Sequence, residues 1–428
     1  MISRRTLFRA GGVTAAAAFG SSWSQALVAD GKELPPAIEK LKSRRAEASP
    51  ITSAERQQRQ DRARDLMAAN NLAAIILMEG TSLRYFTGIR WWGGERLFAM
   101  ALPQKGAPFY VCPAFEEGRA REQIALSPGG ENADVRLWQE DESPYERLAQ
   151  GLRDRGAASS RLGVEENVRF VFSDSIARTV PQATLVSATP VTSGCRMIKS
   201  PHEIALMRLA SQVTLSVYEA VYRSLHDGMT QREVEDLIDA AYTRTGFPGE
   251  ASVGVGEYTA FPHGSTTPQV IREGTIVLID DGCTVEGYQS DITRTFVLGK
   301  ASDKMKKVFD IVHAAQAAAL NAARPGVECG AVDAAARRVI ADAGFGPDYK
   351  FFGHRLGHGM GMDGHEWPYL VRGNSTKLQT NMTTSNEPGI YIRGEFGIRL
   401  EDDMHITDNG AELFTPQSPS LEAPFGAS

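Results

Sequence analysis

Thr275-Ile-Val-Leu-Ile-Asp-Asp-Gly-Cys-Thr-Val-Glu-Gly-Tyr-Gln-Ser-Asp-Ile-Thr-Arg-Thr-Phe-Val-Leu298 decides how this chain is read. Its first limb, Thr275 to Asp281, is apolar until it ends in two acids. A turn follows at Thr284-Val285-Glu286-Gly287, and Tyr288 to Leu298 returns. This pattern predicts a β-hairpin. Symmetry about the middle of the turn sets Asp280 opposite Asp291 and Asp281 opposite Ser290. Like charges directly opposed across two strands destabilise a sheet. A divalent cation held by both acids is the economical remedy.

A second hairpin repeats this chemistry. Ser385 to Ile392 leads into Arg393-Gly394-Glu395, and Phe396 to Thr407 returns. Symmetry about Gly394 sets Glu387 opposite Glu401. A bulge in either turn would shift the register by one residue. Asp281, Asp402 and Asp403 are expected at the surface or as loop caps. Period-2 geometry turns Asp281 and Asp402 to the face opposite the site acids. The nitrogen ligand is sought among eight histidines, three of which fall in His354-Arg-Leu-Gly-His358-Gly-Met-Gly-Met-Asp-Gly-His365. His354 and His358 share a face in either a helix or a strand. The glycines between them let the backbone approach a ligand closely. Asp280, Asp291, His358, Glu387 and Glu401 make an oxygen-rich donor set suited to Mn2+, Fe2+, Co2+ or Zn2+, not a thiolate site. Five ligands with bridging carboxylates fit two ions better than one, and two such ions activate water.

Working outward, 193–420 reads as an α+β domain, with helices over 201–225, 230–245, 302–323 and 331–343 beside the hairpins. Upstream, Thr52-Ser53-Ala54-Glu55 is a capping box opening a helix to about Ala69. Strands are predicted over 73–78, 97–102, 109–111, 162–164 and 184–186, and helices over 114–124 and 145–155. That alternation makes 51–192 an α/β domain. Residues 31–50 are polar and read as a linker, and 421–428 as a tail.

The first thirty residues read as a targeting segment. Ser3-Arg4-Arg5-Thr6-Leu7-Phe8-Arg9 carries paired arginines, an Ala/Gly-rich stretch follows, and Ser24-Gln25-Ala26 offers small residues for cleavage near Ala26. This order predicts a twin-arginine signal and a periplasmic protein. No later window approaches the roughly eighteen apolar residues of a spanning helix, so no membrane partner is expected. The net charge of −6 over 428 residues gives no reason to expect nucleic acid. Cys112, Cys195, Cys283 and Cys329 form no Cys-x-x-Cys pair, and spacing assigns no disulfide among them.

With these residues in view, the chain resembles the pita-bread metallopeptidases, in their aminopeptidase P and prolidase branch. The matching stretches are Leu278-Ile-Asp-Asp-Gly-Cys283, Gly287-Tyr-Gln-Ser-Asp-Ile-Thr-Arg-Thr-Phe296, Gly357-His-Gly-Met-Gly361, His365-Glu-Trp-Pro368, Glu387-Pro-Gly-Ile-Tyr-Ile392 and Gly397-Ile-Arg-Leu-Glu-Asp-Asp403. Arg196-Met-Ile-Lys-Ser200 with Glu203, and Tyr85-Phe-Thr-Gly88, extend the likeness over nearly all of the chain after its signal. The resemblance implies a creatinase-like N-terminal α/β domain followed by a pita-bread (creatinase/aminopeptidase-like) catalytic domain. It implies two divalent ions, with manganese first and Zn, Co or Fe as alternatives. Asp280 would bind one ion, Asp291 and Glu401 both, and His358 and Glu387 the other. Glu387 would also take a proton, His365 would stabilise the tetrahedral intermediate, and His263 and His354 would line the substrate site. Arg372 and Arg399 are the substrate-binding candidates. Arg399 shares a face with Glu401 and so could equally brace a ligand acid.

The implied reaction cleaves the bond between an N-terminal residue and proline in a peptide, and the implied assembly is a homodimer. The alternatives are the same scaffold acting on a non-peptide small molecule, as an amide hydrolase or sulfonium-acid lyase, or a metal-free binding module. Two departures from the family pattern stand out. Thr380-Asn381 replaces the usual Pro-Gly, where Asn tolerates a left-handed turn. Ser385-Asn386 beside Glu387 is also atypical and could reshape the specificity pocket.

Overall fold

Thr52 opens the first long helix: its hydroxyl accepts from the Glu55 N–H, the Glu55 carboxylate returns to the Thr52 N–H, and the helix runs Ser53–Ala69. The computed structural model describes residues 33–426. The expected signal segment and its cleavage point lie outside these residues. The helix covers a six-stranded sheet of β1 (Ala74–Leu77), β2 (Ala99–Pro103), β3 (Phe109–Pro113), β4 (Asp134–Trp138), β5 (Arg161–Val164) and β6 (Thr184–Ser187). Their order across the sheet is β4-β3-β2-β1-β5-β6, mixing parallel and antiparallel pairs. The sequence pattern missed β4, an edge strand whose Asp134 and Arg136 break its apolar run. Those charges are satisfied locally, since Arg136 and Arg155 both pair with Asp134.

Helix Pro201–Tyr222 begins the second half, closed by a Ser200/Glu203 capping box, and Gln231–Thr245 follows with a Thr230/Glu233 box. Two antiparallel sheets and two short ribbons come after. β7 (Ser252–Val255), β8 (Ile276–Asp280) and β11 (Arg294–Val297) form one sheet, and β9 (Thr284–Val285) and β10 (Tyr288–Gln289) extend its hairpin. The other sheet holds β12 (Gly357–Gly359), β13 (Glu366–Leu370), β14 (Thr383–Asn386), β17 (Asp402–Ile406) and β18 (Ala411–Leu413), with β15 (Gly389–Ile392) and β16 (Phe396–Arg399) as the second hairpin's outer ribbon. Helices Asp303–Ala322 and Cys329–Ile340 pack against this sheet. Asn381 takes the left-handed turn expected of it, at φ 67°.

The stretch read as a linker is packed rather than loose. Pro36–Glu39 forms a helical turn whose Ile38 is fully buried, and Arg45 Nε donates to the Gly246 carbonyl at 2.6 Å. Its polar composition hid the apolar side chains that anchor it, Ile38 with Leu34, Ala37, Leu41 and Ala48. The expected tail also begins inside the fold: Leu421 is buried and its carbonyl accepts from Val297 N at 2.9 Å.

One core cluster crosses from domain to domain, joining Met67, Ile75 and Leu83 with Val213, Val217 and Tyr288. Within it Arg59 pairs with Glu203 at 3.1 Å and donates to Tyr288 Oη at 2.7 Å. All four cysteines are free and buried, and burial pushes the Cys112, Cys195 and Cys283 thiols up to about 12. No described helix is long and apolar enough to cross a membrane.

Candidate metal centre

The first hairpin turns on two residues, not four. Glu286 and Gly287 both have positive φ, 51° and 98°, the geometry that suits the right-handed twist of the flanking strands. Thr284–Val285 therefore pairs with Tyr288–Gln289, and Ile279 with Arg294. The expected facing of Asp280 with Asp291 is corrected: Asp280 lies across from Thr293, whose hydroxyl it meets, and the Asp281 carbonyl accepts from Ile292 N at 3.0 Å instead of facing Ser290. The slip is two residues. Side chains alternate with period two, so Asp280 and Asp291 stay on one face.

The second hairpin keeps its expected register. Asn386 pairs with Asp402 and Gly389 with Arg399, so Glu387 and Glu401 fall opposite one another between the two ladders. His358 comes from β12, which lies between β13 and β14. The glycines beside it permit that closeness. A Cβ on Gly357 would stand 2.2 Å from the Ser385 carbonyl oxygen, and one on Gly359 would stand 2.3 Å from that of Trp367.

Three overlapping donor groups result: Asp280–Asp291–Glu401, His358–Glu387–Glu401 and Asp291–His358–His365, with the donor atoms of each within 4.8 Å of one another. His358 Nε2 is 3.3 Å from Glu387 Oε1 and 3.7 Å from Asp291 Oδ2. Glu401, Asp291 and His358 each belong to two groups, and of these the two carboxylates have the second oxygen that a shared ligand needs. Burial raises Asp291 and Glu401 well above the usual carboxylate range, and their neighbouring acids push the same way. Burial likewise carries Glu387 up to about 8, against the pull of Arg399. Burial and the neighbouring His365 depress His358 to about 3, so its imidazole is neutral. Its Nδ1 lies 3.2 Å from the Gly359 carbonyl, which leaves Nε2 with a lone pair facing the acids. Four crowded carboxylates and an aimed imidazole form a hard, anionic donor set with too little positive charge of its own. That set fits divalent cations.

The surroundings hold the donors in place. Arg399 is buried, with its guanidinium on Asp280 and Nε 3.7 Å from Glu401. It also reaches Thr293 Oγ1 at 2.9 Å, the Pro262 carbonyl at 3.1 Å and Tyr391 Oη at 3.3 Å. Arg399 thus braces ligand acids, as its shared face with Glu401 allowed. Ser385 Oγ accepts from His358 N at 3.0 Å and donates to Glu387 at 3.1 Å, so this atypical residue fixes two donors and does not line the pocket.

Among the expected catalytic histidines, His365 stacks on His358 with centroids 3.7 Å apart. Burial and Arg399 hold His354 down at about 3. Its Nδ1 lies 2.8 Å from the Arg355 carbonyl and 3.6 Å from Glu387 Oε2, and its Nε2 lies 2.7 Å from Tyr391 Oη. His263 is exposed and close enough to His354 and His365 for its charge to act on both. Arg372 is not brought to the centre: it pairs with Asp348 at 2.9 Å on an exposed loop. Arg355, which the sequence reading passed over, is the cation whose charge reaches His358, His365 and Glu387. Thr293 and Tyr391 were also missed, although period two sets them on the faces of Asp291 and Glu387.

Asp402 and Asp403 correct the expectation of surface acids, because both are fully buried. Asp402 does face away from the site acids, but into protein. It accepts from Arg294 at 2.7 Å, Gln316 at 3.0 Å and Thr415 at 2.5 Å. Asp403 accepts from Ser211 Oγ at 2.7 Å and from Asp291 N at 3.3 Å. Helices cover the face assumed to be wet. Asp281 alone is exposed.

Comparison with known proteins agrees with this geometry. Residues 205–408 match the model of metallopeptidase family M24, and 59–198 that of the creatinase/prolidase N-terminal domain. The Xaa-Pro dipeptidase of Lactobacillus delbrueckii subsp. lactis is 30% identical over 85% of this chain and 98% of its own length. The crystal structure of dipeptidase PepE from Mycobacterium ulcerans is 33% identical, with a TM-score of 0.82 over 88% of this chain and all of that one, 100%. The prolidase from Thermococcus sibiricus is 29% identical, with a TM-score of 0.76 over 86% of this chain and 98% of that one. The chain therefore belongs to metallopeptidase family M24: it is a peptidase in which a creatinase/prolidase N-terminal domain precedes a pita-bread catalytic domain.

Proposed function

We propose that this enzyme hydrolyses the peptide bond between an N-terminal residue and a following proline, with dipeptides as its preferred substrates. The observation that carries the reading is the pair of donor groups sharing Glu401, with Asp291 joined to both sides. Asp280, Asp291, His358, Glu387 and Glu401 would hold two divalent ions, manganese being the first candidate. When bound, the ions would polarise the scissile carbonyl and acidify water. Glu387 takes the proton of the attacking water, and His354 beside it steadies that carboxylate. His365 donates to the developing oxyanion, while His263 closes the same side. Arg355 receives the free carboxylate of the dipeptide, a charge-assisted contact of about 1.5–3 kcal/mol. Names of similar proteins support the substrate class, since they include an Xaa-Pro dipeptidase and a prolidase.

The test is a peptide series on metal-stripped protein reloaded with Mn2+, Zn2+ or Co2+. Release of the first residue from Xaa-Pro dipeptides is expected. Amidating the C-terminus should lower kcat/KM by about tenfold or more, from the same contact energy. No release from any Xaa-Pro peptide under any of these metals would overturn the reading in favour of a non-peptide substrate.

We also propose export by the twin-arginine route, supported by Arg4-Arg5 and the segment that follows. Fractionation of cells producing the full chain should find it periplasmic and cut near Ala26, and an Arg4→Lys/Arg5→Lys variant retained. Equal cytoplasmic retention of both proteins would count against export.

A further inference from the structure

We propose that the cleft between the N-terminal domain and the tip of the first hairpin binds a small oxyanion of the phosphate class. The cleft encloses about 50 Å3 and is lined by Arg56, Arg59, Arg84, Arg90, Glu286 and Tyr288 among others. A single water needs roughly 10–15 Å3 on that measure, so there is room for a group larger than water.

The charges around this space do not balance. Arg59 is neutralised by Glu203 at 3.1 Å and tied to the Tyr85 carbonyl at 2.9 Å. Arg56, Arg84 and Arg90 remain. Among the described residues no carboxylate comes within ion-pair distance of their guanidinium groups, and the one acid in the lining is Glu286. Glu55 also acts on Arg56 from beside the lining, and three cations against Glu286 and Glu55 leave a net positive charge, which suits an anion. The Arg56 Nε is buried with no hydrogen-bond partner, a donor aimed at nothing the protein supplies.

Two of the guanidinium groups lie close against glycine backbone. A Cβ on Gly287 would stand 2.5 Å from Arg84 Cζ, and one on Gly88 would stand 2.7 Å from Arg56 Cζ. Each planar group therefore lies against bare backbone where any side chain would displace it. Burial holds both Arg56 and Arg84 below the usual arginine range. The neighbouring arginine charges act in the same sense, Arg59 on Arg56 and Arg90 on Arg84. Planar donors that are close together and short of a counter-ion are the usual means of gripping phosphate oxygens.

Equilibrium dialysis of the metal-loaded full chain against radiolabelled orthophosphate in 0.15 M chloride tests this. Saturable binding of one phosphate per chain is expected, weakened by about tenfold or more in Arg56→Met and Arg84→Met, from the loss of one charged contact. Asp291→Asn, which alters the metal centre, should keep the binding. Glycerol phosphate as competitor separates the sources. Displacement at lower concentration than orthophosphate identifies a phosphomonoester, and displacement only at higher concentration identifies free phosphate. Absence of saturable binding overturns the proposal. So does binding that Asp291→Asn abolishes and Arg84→Met leaves intact, which would place the anion on the metals. If either of these variants of a half-buried arginine lacks the native circular dichroism spectrum, exposed Arg90→Gln carries the test, and undiminished binding by it counts against the site.

Discussion

Asp291→Ala is expected to remove bound metal and peptidase activity together, with kcat/KM falling on the order of a thousandfold or more. Asp291 stands in the group with Asp280 and Glu401 and again in the group with His358 and His365, so its loss opens both sides of the centre. Glu401→Ala should behave alike, for Glu401 is shared in the same way. Thr293→Val offers a graded comparison. Its hydroxyl lies 2.6 Å from Glu401 and also meets Asp280, but it is not itself among the donors. Orienting partners of this kind are worth roughly 10–100-fold in affinity or activity. Fold loss is not the expected cause of these effects. The acids raise one another's proton affinity, so deleting one relieves repulsion in the metal-free chain. Metal content by mass spectrometry, read beside activity and circular dichroism, separates these outcomes. Full metal and full activity in either alanine variant would show that the bridging assignment is wrong.

Arg294→Met should give the largest loss of stability of any single substitution considered. Arg294 and Asp402 are 1% and 0% exposed and meet at 2.7 Å. Arg294 also donates to the Glu401 carbonyl at 2.9 Å and the Pro416 carbonyl at 2.9 Å. Breaking a buried pair from one side typically costs about 3–5 kcal/mol, because the remaining charge stays buried without its partner. For a domain of about this size that lowers the unfolding midpoint by on the order of 10 °C. Arg294→Met/Asp402→Leu should recover much of the loss, since apolar replacements of a whole pair are often tolerated. A scanning-calorimetry midpoint for the single variant within a degree or two of wild type would contradict this account.

Local signals carried the sequence reading a long way. The capping boxes at Thr52, Ser200 and Thr230 mark helix starts because each reciprocal bond is made within four residues. The Glu387–Glu401 register was legible because Gly394 punctuates a simple turn. The first hairpin's register was not, because Thr284-Val285 looks like turn material while it pairs as strand. Long-range facts stayed hidden. Nothing near Asp402 or Asp403 in the sequence announces that Gln316 and Ser211 will cover them. Arg355, not Arg372, lies near the centre for the same reason: which loop arginine comes close depends on how the loop folds back, and periodicity does not encode that.

The core that runs from Met67 and Ile75 through to Val217 and Tyr288 has a consequence for inheritance. The two segments each keep a core cluster of their own and share a third, so part of the stability of each is held in common. A cavity opened on the face of the N-terminal sheet that carries Ile75 and Leu77 draws on the same reserve that keeps the hairpin with Asp280 and Asp291 in register. Selection on the chemistry of one half is therefore felt as selection on packing in the other. Exchange of either module between relatives would succeed only when the facing surfaces travel with it.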